Sequence, residues 1–275
     1  MVLNFFGKRK RVAPAHTFVA VGYPKVGNTW LRMTLGRYVQ KLANLPELPL
    51  FEPNDAEELT RAIGSQAAGY FTHAPLEWDT QVASDLGFDN TVRPFADQKV
   101  ILLTRHPLDA LVSHFMHNRK KLNESDRFPD SLIDFVNHPV FGLEKFLQFH
   151  ELWQSNRGRV DALLVWRYED ARSDPVAALK RTVDFLGWAW DDSVARDAVE
   201  YASFENMQKL ERGSQSIVYR SSGFKVFGEG DAKDPDAYHV RKGRVQGFRD
   251  ELSADIIMKL ESDIKKRLFE AYGYP

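Results

Sequence analysis

One juncture constrains this chain more than any other: a short β-rich run stops at a glycine and becomes a helical stripe within a few residues. Thr17-Phe-Val-Ala-Val21 is the run and Gly22 the stop. From Thr29 to Leu42, the residues Trp30, Leu31, Met33, Leu35, Tyr38, Val39 and Leu42 recur at helical spacing. Strand, tight turn and helix follow, and the theme returns along the chain. Tyr70-Phe71-Thr72 predicts a second strand ending at His73. Lys99-Val-Ile-Leu-Leu-Thr104 predicts a third, apolar enough to be buried on both faces of a parallel sheet. Pro107 then opens a helix with Leu108, Leu111, Val112 and Phe115 as its apolar stripe. Ala162-Leu-Leu-Val-Trp166 predicts a fourth strand, and Asp174 as N-cap, Pro175 and Gly187 bracket another helix. Strands alternating with helices imply an α/β fold, a central parallel sheet flanked by helices, with ligands beyond the carboxyl ends of the strands.

The 275 residues show no internal repeat and no low-complexity linker, and 43% of them are hydrophobic, enough for one sizeable core. We therefore expect a single domain over residues 17–275, preceded by a basic tail, residues 1–16, with the Lys8–Arg11 run in it. Net charge is −1, so any anion site must be local and nucleic acid is not an expected partner. Cysteine is absent, which excludes disulfides, thiolate metal sites and a cysteine nucleophile. No apolar run approaches the roughly 18 residues of a membrane span, and no signal-peptide apolar region is visible. A cytoplasmic protein without membrane contact is expected. Residues 213–240 carry glycines and polar residues without periodicity, which predicts a lid loop over the site, with unstructured decoration as the alternative.

Two clusters at predicted strand ends bear chemistry. Gly22-Tyr-Pro-Lys25-Val-Gly27-Asn28-Thr29-Trp30 has the glycine spacing of a phosphate loop, where backbone N–H groups at a helix N-terminus face an anion. Its lysine lies inside the loop, and Asn28-Thr29 replaces the Lys-Ser/Thr ending of nucleotide kinases. Arg105-His-Pro-Leu-Asp-Ala-Leu-Val-Ser113 follows the buried strand. An arginine there and a serine on the next helix can grip one phosphate together, a task suited to the planar guanidinium. An ATP-hydrolysing protein would commonly end that strand in a magnesium-binding aspartate. Here it ends in a cation, so the site suits an extra anion. The competing reading of Arg105 is a surface ion pair with Asp109.

The first cluster resembles the 5′-phosphosulfate loop, usually Y-P-K-S-G-T-T-W, of cytosolic-type sulfotransferases that use 3′-phosphoadenosine 5′-phosphosulfate (PAPS). The second resembles their 3′-phosphate motif, an arginine followed eight residues later by serine. Val240-Arg241-Lys242-Gly243, then Gly247-Phe248, resembles the family's R-K-G-x-x-G signature. Phe71-Thr72-His73-Ala-Pro75 resembles the segment with the catalytic histidine, Tyr168-Glu169-Asp170 the segment whose tyrosine approaches the nucleotide, and Ser203-Phe204 the pair that holds adenine. The matches run in family order through nearly the whole chain.

The resemblance implies a P-loop-like core and sulfuryl transfer from PAPS to a hydroxyl or amine of a small-molecule acceptor, leaving adenosine 3′,5′-bisphosphate (PAP), with no metal. It implies His73 as general base and Lys25 as the cation on the leaving 5′-phosphate. Donor binding would fall to Lys25, Val26, Gly27, Asn28, Thr29, Trp30, Arg105, Ser113, Tyr168, Ser203, Phe204, Arg241, Lys242 and Gly243. Pro75 and His117 would touch the acceptor, His117 because it sits four residues after Ser113 on one helix face. Departures stand at Val26 and Asn28 for Ser and Thr, Phe71 for Lys, Ala202 for Thr, and in one extra residue between Gly243 and Gly247. The family's dimer motif is not recognisable around Arg249–Met258. A metal reading of His106, His114 and His117 lacks supporting carboxylates, and Trp78, Trp188 and Trp190 read mainly as core. The rival classes are a P-loop kinase, which needs a carboxylate where Arg105 stands, and a nucleotide-binding module without catalysis.

Overall fold

A computed structural model describes residues 18–44, 69–73, 79–122, 128–212 and 242–274. Thr17, the basic tail, Pro75, Trp78, the expected lid and Arg241 lie outside the described residues.

Among the described residues, four strands form one parallel sheet in the order β2-β1-β3-β4: β1 Phe18–Gly22, β2 Gly69–Thr72, β3 Lys99–Thr104 and β4 Ala162–Arg167. The two inner strands are apolar throughout because both their faces are covered. β1 is buried along its whole length and β3 from Val100 onward. The outer strands are half-buried along most of theirs. Register sets Phe18 beside both Gly69 and Lys99, and Lys99 beside Ala162. All four strands therefore end at one edge, at Gly22, Thr72, Thr104 and Arg167.

Helix α1 (Asn28–Leu42) follows β1, and α2 (Pro107–Leu122) follows β3. β2 lies on one side of β1 and β3 on the other, so the strand order reverses between β1 and β3. That reversal opens a crevice beyond their carboxyl ends. Later come α3 (Leu143–Ser155), α4 (Tyr168–Ser173), α5 (Pro175–Leu186), α6 (Asp192–Tyr201), α7 (Phe204–Arg212) and α8 (Ala254–Tyr272). The expected signals at α5 are present: Asp174 accepts from the Ala177 N–H at 2.9 Å, and Gly187 takes φ 74° to end the helix.

Long-range polar contacts pin helices to each other. Arg37 of α1 grips Asp197 of α6 with bonds of 2.6 and 3.3 Å, and Arg267 of α8 reaches Glu151 and Glu144 of α3. Tyr38 donates to the Ala189 carbonyl at 2.7 Å. Trp188 packs edge-on against Phe18, and Trp190 stacks on Tyr38. Both tryptophans are thus used in packing, as expected. Among the described residues no helix is long and apolar enough to cross a membrane.

Candidate active site

The loop between β1 and α1 is anchored by what it buries. Tyr23 packs against Phe146 and Phe149, and Val26 is fully buried. Between and after these anchors the backbone turns through left-handed geometry at Lys25 (φ 70°) and at Gly27 (φ 113°). Gly27 has a second reason to be glycine: a Cβ there would sit 3.2 Å from the rings of Trp166 and Tyr168. Among the described residues no side chain caps α1, and its first turn holds no acidic residue. The leading N–H groups of such a turn are donors suited to an anion.

Arg105, directly after β3, is held from three directions. Its guanidinium donates to the carbonyls of Lys25 at 3.2 Å and Arg244 at 3.4 Å, and lies 4.3 Å from the centre of the Tyr168 ring. Its Nε is buried with no hydrogen-bond partner among the described residues. The ion pair with Asp109 considered above is not formed. The buried Asp109 carboxylate instead accepts from the backbone N–H groups of Gln246 (2.8 Å) and Phe248 (3.1 Å). One turn of α2 thus carries the anchor for the segment that follows Lys242-Gly243. Gly243 has φ 57°, and a Cβ there would collide with the Phe204 ring.

His73 stands just beyond β2. Its Nδ1 lies 2.7 Å from the Gly22 carbonyl, an obligatory acceptor, so Nδ1 carries the proton and Nε2 keeps its lone pair. The Asn28 amide comes within 3.3 Å of the same nitrogen, where a protonated Nδ1 calls for the amide oxygen. Burial pushes the imidazole pKa below 6.5; the Gly22 bond acts against this, and the charges of Arg32 and Lys25 add to it.

These groups wall one cleft of about 300 Å³. It brings together Lys25, Gly27, Asn28, Thr29, Trp30, His73, Arg105, Ser113, His117, Tyr168, Phe204, Lys242 and Gly243. Val26 and Ser203 do not line it. Val26 points its apolar side chain into the core, and the Ser203 hydroxyl accepts from the Asn206 N–H at 3.3 Å at the start of α7. The cleft also has walls that the motifs did not indicate: Asp109, His114, Asn118, Arg172, Met207 and Arg244. Helical spacing could have found several, since Asp109 lies four residues from both Arg105 and Ser113, and Arg172 four from Tyr168. Among the described residues, five cations, Lys25, Arg105, Arg172, Lys242 and Arg244, line the cleft of a chain whose net charge is −1. Lys242 is paired with Asp250 and Glu251, and Arg244 with Asp250.

His106 and His114, on either side of Pro107, are buried among aromatic rings. His106 stacks on Phe248 with ring centres 4.7 Å apart, and burial brings its pKa down to about 4. His114 is buried edge-on against Phe135, and its pKa falls to about 3.

The chain is similar to several known proteins. Cytosolic sulfotransferase 16 of Arabidopsis thaliana is 24% identical over 270 residues, covering 91% of this chain and 75% of that one. Flavonol 3-sulfotransferase of Flaveria bidentis is 23% identical over 279 residues, 93% of this chain and 82% of that one. Among solved structures, mouse sulfotransferase SULT7A1 complexed with PAP superposes with a TM-score of 0.61 at 19% identity, over 94% of this chain and 87% of that one. Retinol dehydratase in complex with androsterone and inactive cofactor PAP gives 0.61 at 20% identity, over 93% and 82%. At such identities the structural likeness speaks to the fold. The family model of the sulfotransferase domain matches residues 15–271, a span that includes every segment walling the cleft. The chain belongs to the sulfotransferase domain family.

Proposed function

We propose that this protein transfers a sulfuryl group from PAPS to a hydroxyl or amine of a small-molecule acceptor, in line, in the cytoplasm. The observation that carries the reading is the placement of Arg105. A cation, not a metal-binding carboxylate, ends the strand beside the phosphate loop, and its guanidinium is fixed to that loop by the Lys25 carbonyl. The solved sulfotransferase-fold structures in complex with PAP, and relatives named for flavonol and luciferin acceptors, support the same donor and acceptor classes.

The residues fit the donor. The first turn of α1 offers N–H groups to the 5′-phosphosulfate, and the cleft-lining guanidinium of Arg105 with the Ser113 hydroxyl suits the 3′-phosphate. Trp30 and Phe204 provide flat surfaces for adenine. In the transfer step Lys25 neutralises charge growing on the leaving 5′-phosphate. His73 takes the acceptor proton on Nε2, as the Nδ1–H bond to Gly22 dictates. Its depressed pKa keeps the imidazole neutral at physiological pH.

The test is turnover. The protein is incubated with PAPS, with chelator present, and with a panel of phenols, alcohols, amines and sugars, and PAP release and product mass are followed. Acceptor-dependent PAP release with a product heavier by one sulfuryl group supports the reading. PAP release in no case, or turnover of ATP with magnesium instead, overturns it.

A further inference from the structure

After α8 the chain turns at Gly273, φ 67°, and returns Tyr274 to the protein interior, where it is 1% exposed. The Tyr274 hydroxyl lies 3.2 Å from both Thr104 Oγ1 and Glu169 Oε2. A phenol has one proton and a carboxylate can only accept, so the proton goes to Glu169 and Thr104 donates in return. The other oxygen of the same carboxylate, Glu169 Oε1, accepts from the backbone N–H of His106 at 2.8 Å. That N–H belongs to the peptide joining Arg105 to His106. The Tyr274 ring meets the His106 ring edge-on at 5.7 Å, and the Arg167 guanidinium lies 5.1 Å from its centre.

Thr104, Arg105 and His106 are consecutive, and Tyr274 touches the first and third while Glu169 ties down the peptide between the second and third. The neighbouring Tyr168 supports the guanidinium itself. Arg105 is thus held at its side chain by Tyr168 and at its backbone by the Glu169–Tyr274 pair.

We propose that Tyr274 is a positioning residue for donor recognition: through Glu169 it fixes the backbone of Arg105 and so sets the preference for a 3′-phosphorylated nucleotide. The inference rests on the reading above that Arg105 binds the 3′-phosphate. A guanidinium displaced by a fraction of an ångström loses the geometry of its charge-assisted bonds, whereas a nucleotide lacking that phosphate does not use them.

A control lies in the same segment. Tyr272 is also buried, and its hydroxyl donates to the His150 carbonyl at 2.7 Å, whereas the Glu169 carboxylate is met by Tyr274. PAP and AMP are titrated calorimetrically into wild type, Tyr274→Phe, Glu169→Gln and Tyr272→Phe, and thermal midpoints are recorded for each. Tyr274→Phe and Glu169→Gln are expected to cut the PAP-over-AMP preference by about threefold to tenfold, the value of one hydrogen bond, with AMP affinity unchanged. Tyr272→Phe is expected to lower the midpoint and leave the preference intact. An unchanged preference in Tyr274→Phe, or an equal change in Tyr272→Phe, overturns the proposal. A wild type without preference for PAP fails the donor reading itself, a result distinct from either.

Discussion

The Nδ1 atom of His73 lies 2.7 Å from the carbonyl oxygen of Gly22, the last residue of β1 and the first of the phosphate loop. The candidate base is therefore aligned by the same turn that presents the N–H groups for the leaving phosphate. His73→Ala is expected to lower kcat by ~10²-fold or more while PAP affinity stays near wild type. Because the imidazole pKa is held below 6.5, a protonated, inactive base appears only at lower pH. The acid limb of kcat/KM is expected to inflect below pH 6.5, measured with one acceptor across pH 5–8 as an order-of-magnitude window. Retention of most activity in His73→Ala would discard the assignment.

Lys25 differs from its neighbours in having a separable backbone role. Its carbonyl anchors Arg105 whatever side chain it carries. Lys25→Ala is thus expected to keep the loop and lose the charge, so that kcat falls together with kcat/KM. A change confined to KM would mean the cation binds donor and transition state alike.

Asp109 holds two distant segments together through two backbone N–H groups. Asp109→Ala leaves the buried Phe248 N–H without its acceptor and is expected to cost about 1–3 kcal/mol in urea unfolding. Donor affinity should weaken as well, because Gly243 and Lys242 belong to the segment it anchors. Wild-type stability in this variant would refute the clamp.

How much of this was legible follows from the range of each interaction. β3 runs over Lys99–Thr104 as read, since a continuous apolar run between polar ends is a local signal. The α5 cap at Asp174 and terminator at Gly187 are equally local. Lys25, His73, Arg105 and Tyr168 converge on one cleft because each follows a strand, and parallel strands share one carboxyl edge. Asp109 was legible only as a possible partner for Arg105. Its true partners lie 137 and 139 residues away and are backbone groups, which leave no mark on residue type. Tyr274 was unreadable for the same reason, being 105 residues from Glu169. Ser203 shows the opposite case, in which a motif residue is engaged in capping its own helix.

Three buried histidines give the fold an acid limit. Burial holds the pKa of His106 at about 4, of His114 at about 3 and of His150 at about 4. The unfolded chain binds these protons below pH ~6.5 and the folded chain does not. The unfolded state then carries more protons, so unfolding free energy falls as pH drops from ~6.5 toward ~4. The three sites together contribute a slope of up to roughly 4 kcal/mol per pH unit. Urea midpoints across that window test it, and a flat profile would contradict neutral burial.

The central claim is that Arg105 selects a donor with a 3′-phosphate, and paired calorimetric titrations test it most directly. PAP and AMP are titrated into wild type and into Arg105→Ala. The guanidinium, fixed by the Lys25 and Arg244 carbonyls and the Tyr168 ring, is expected to give wild type a large preference for PAP. Its removal should cut PAP affinity by at least ~10-fold, as for a lost charge-assisted bond, and leave AMP binding nearly unchanged. Equal discrimination between the two nucleotides before and after the substitution would contradict the 3′-phosphate site and, with it, the assignment of PAPS as donor.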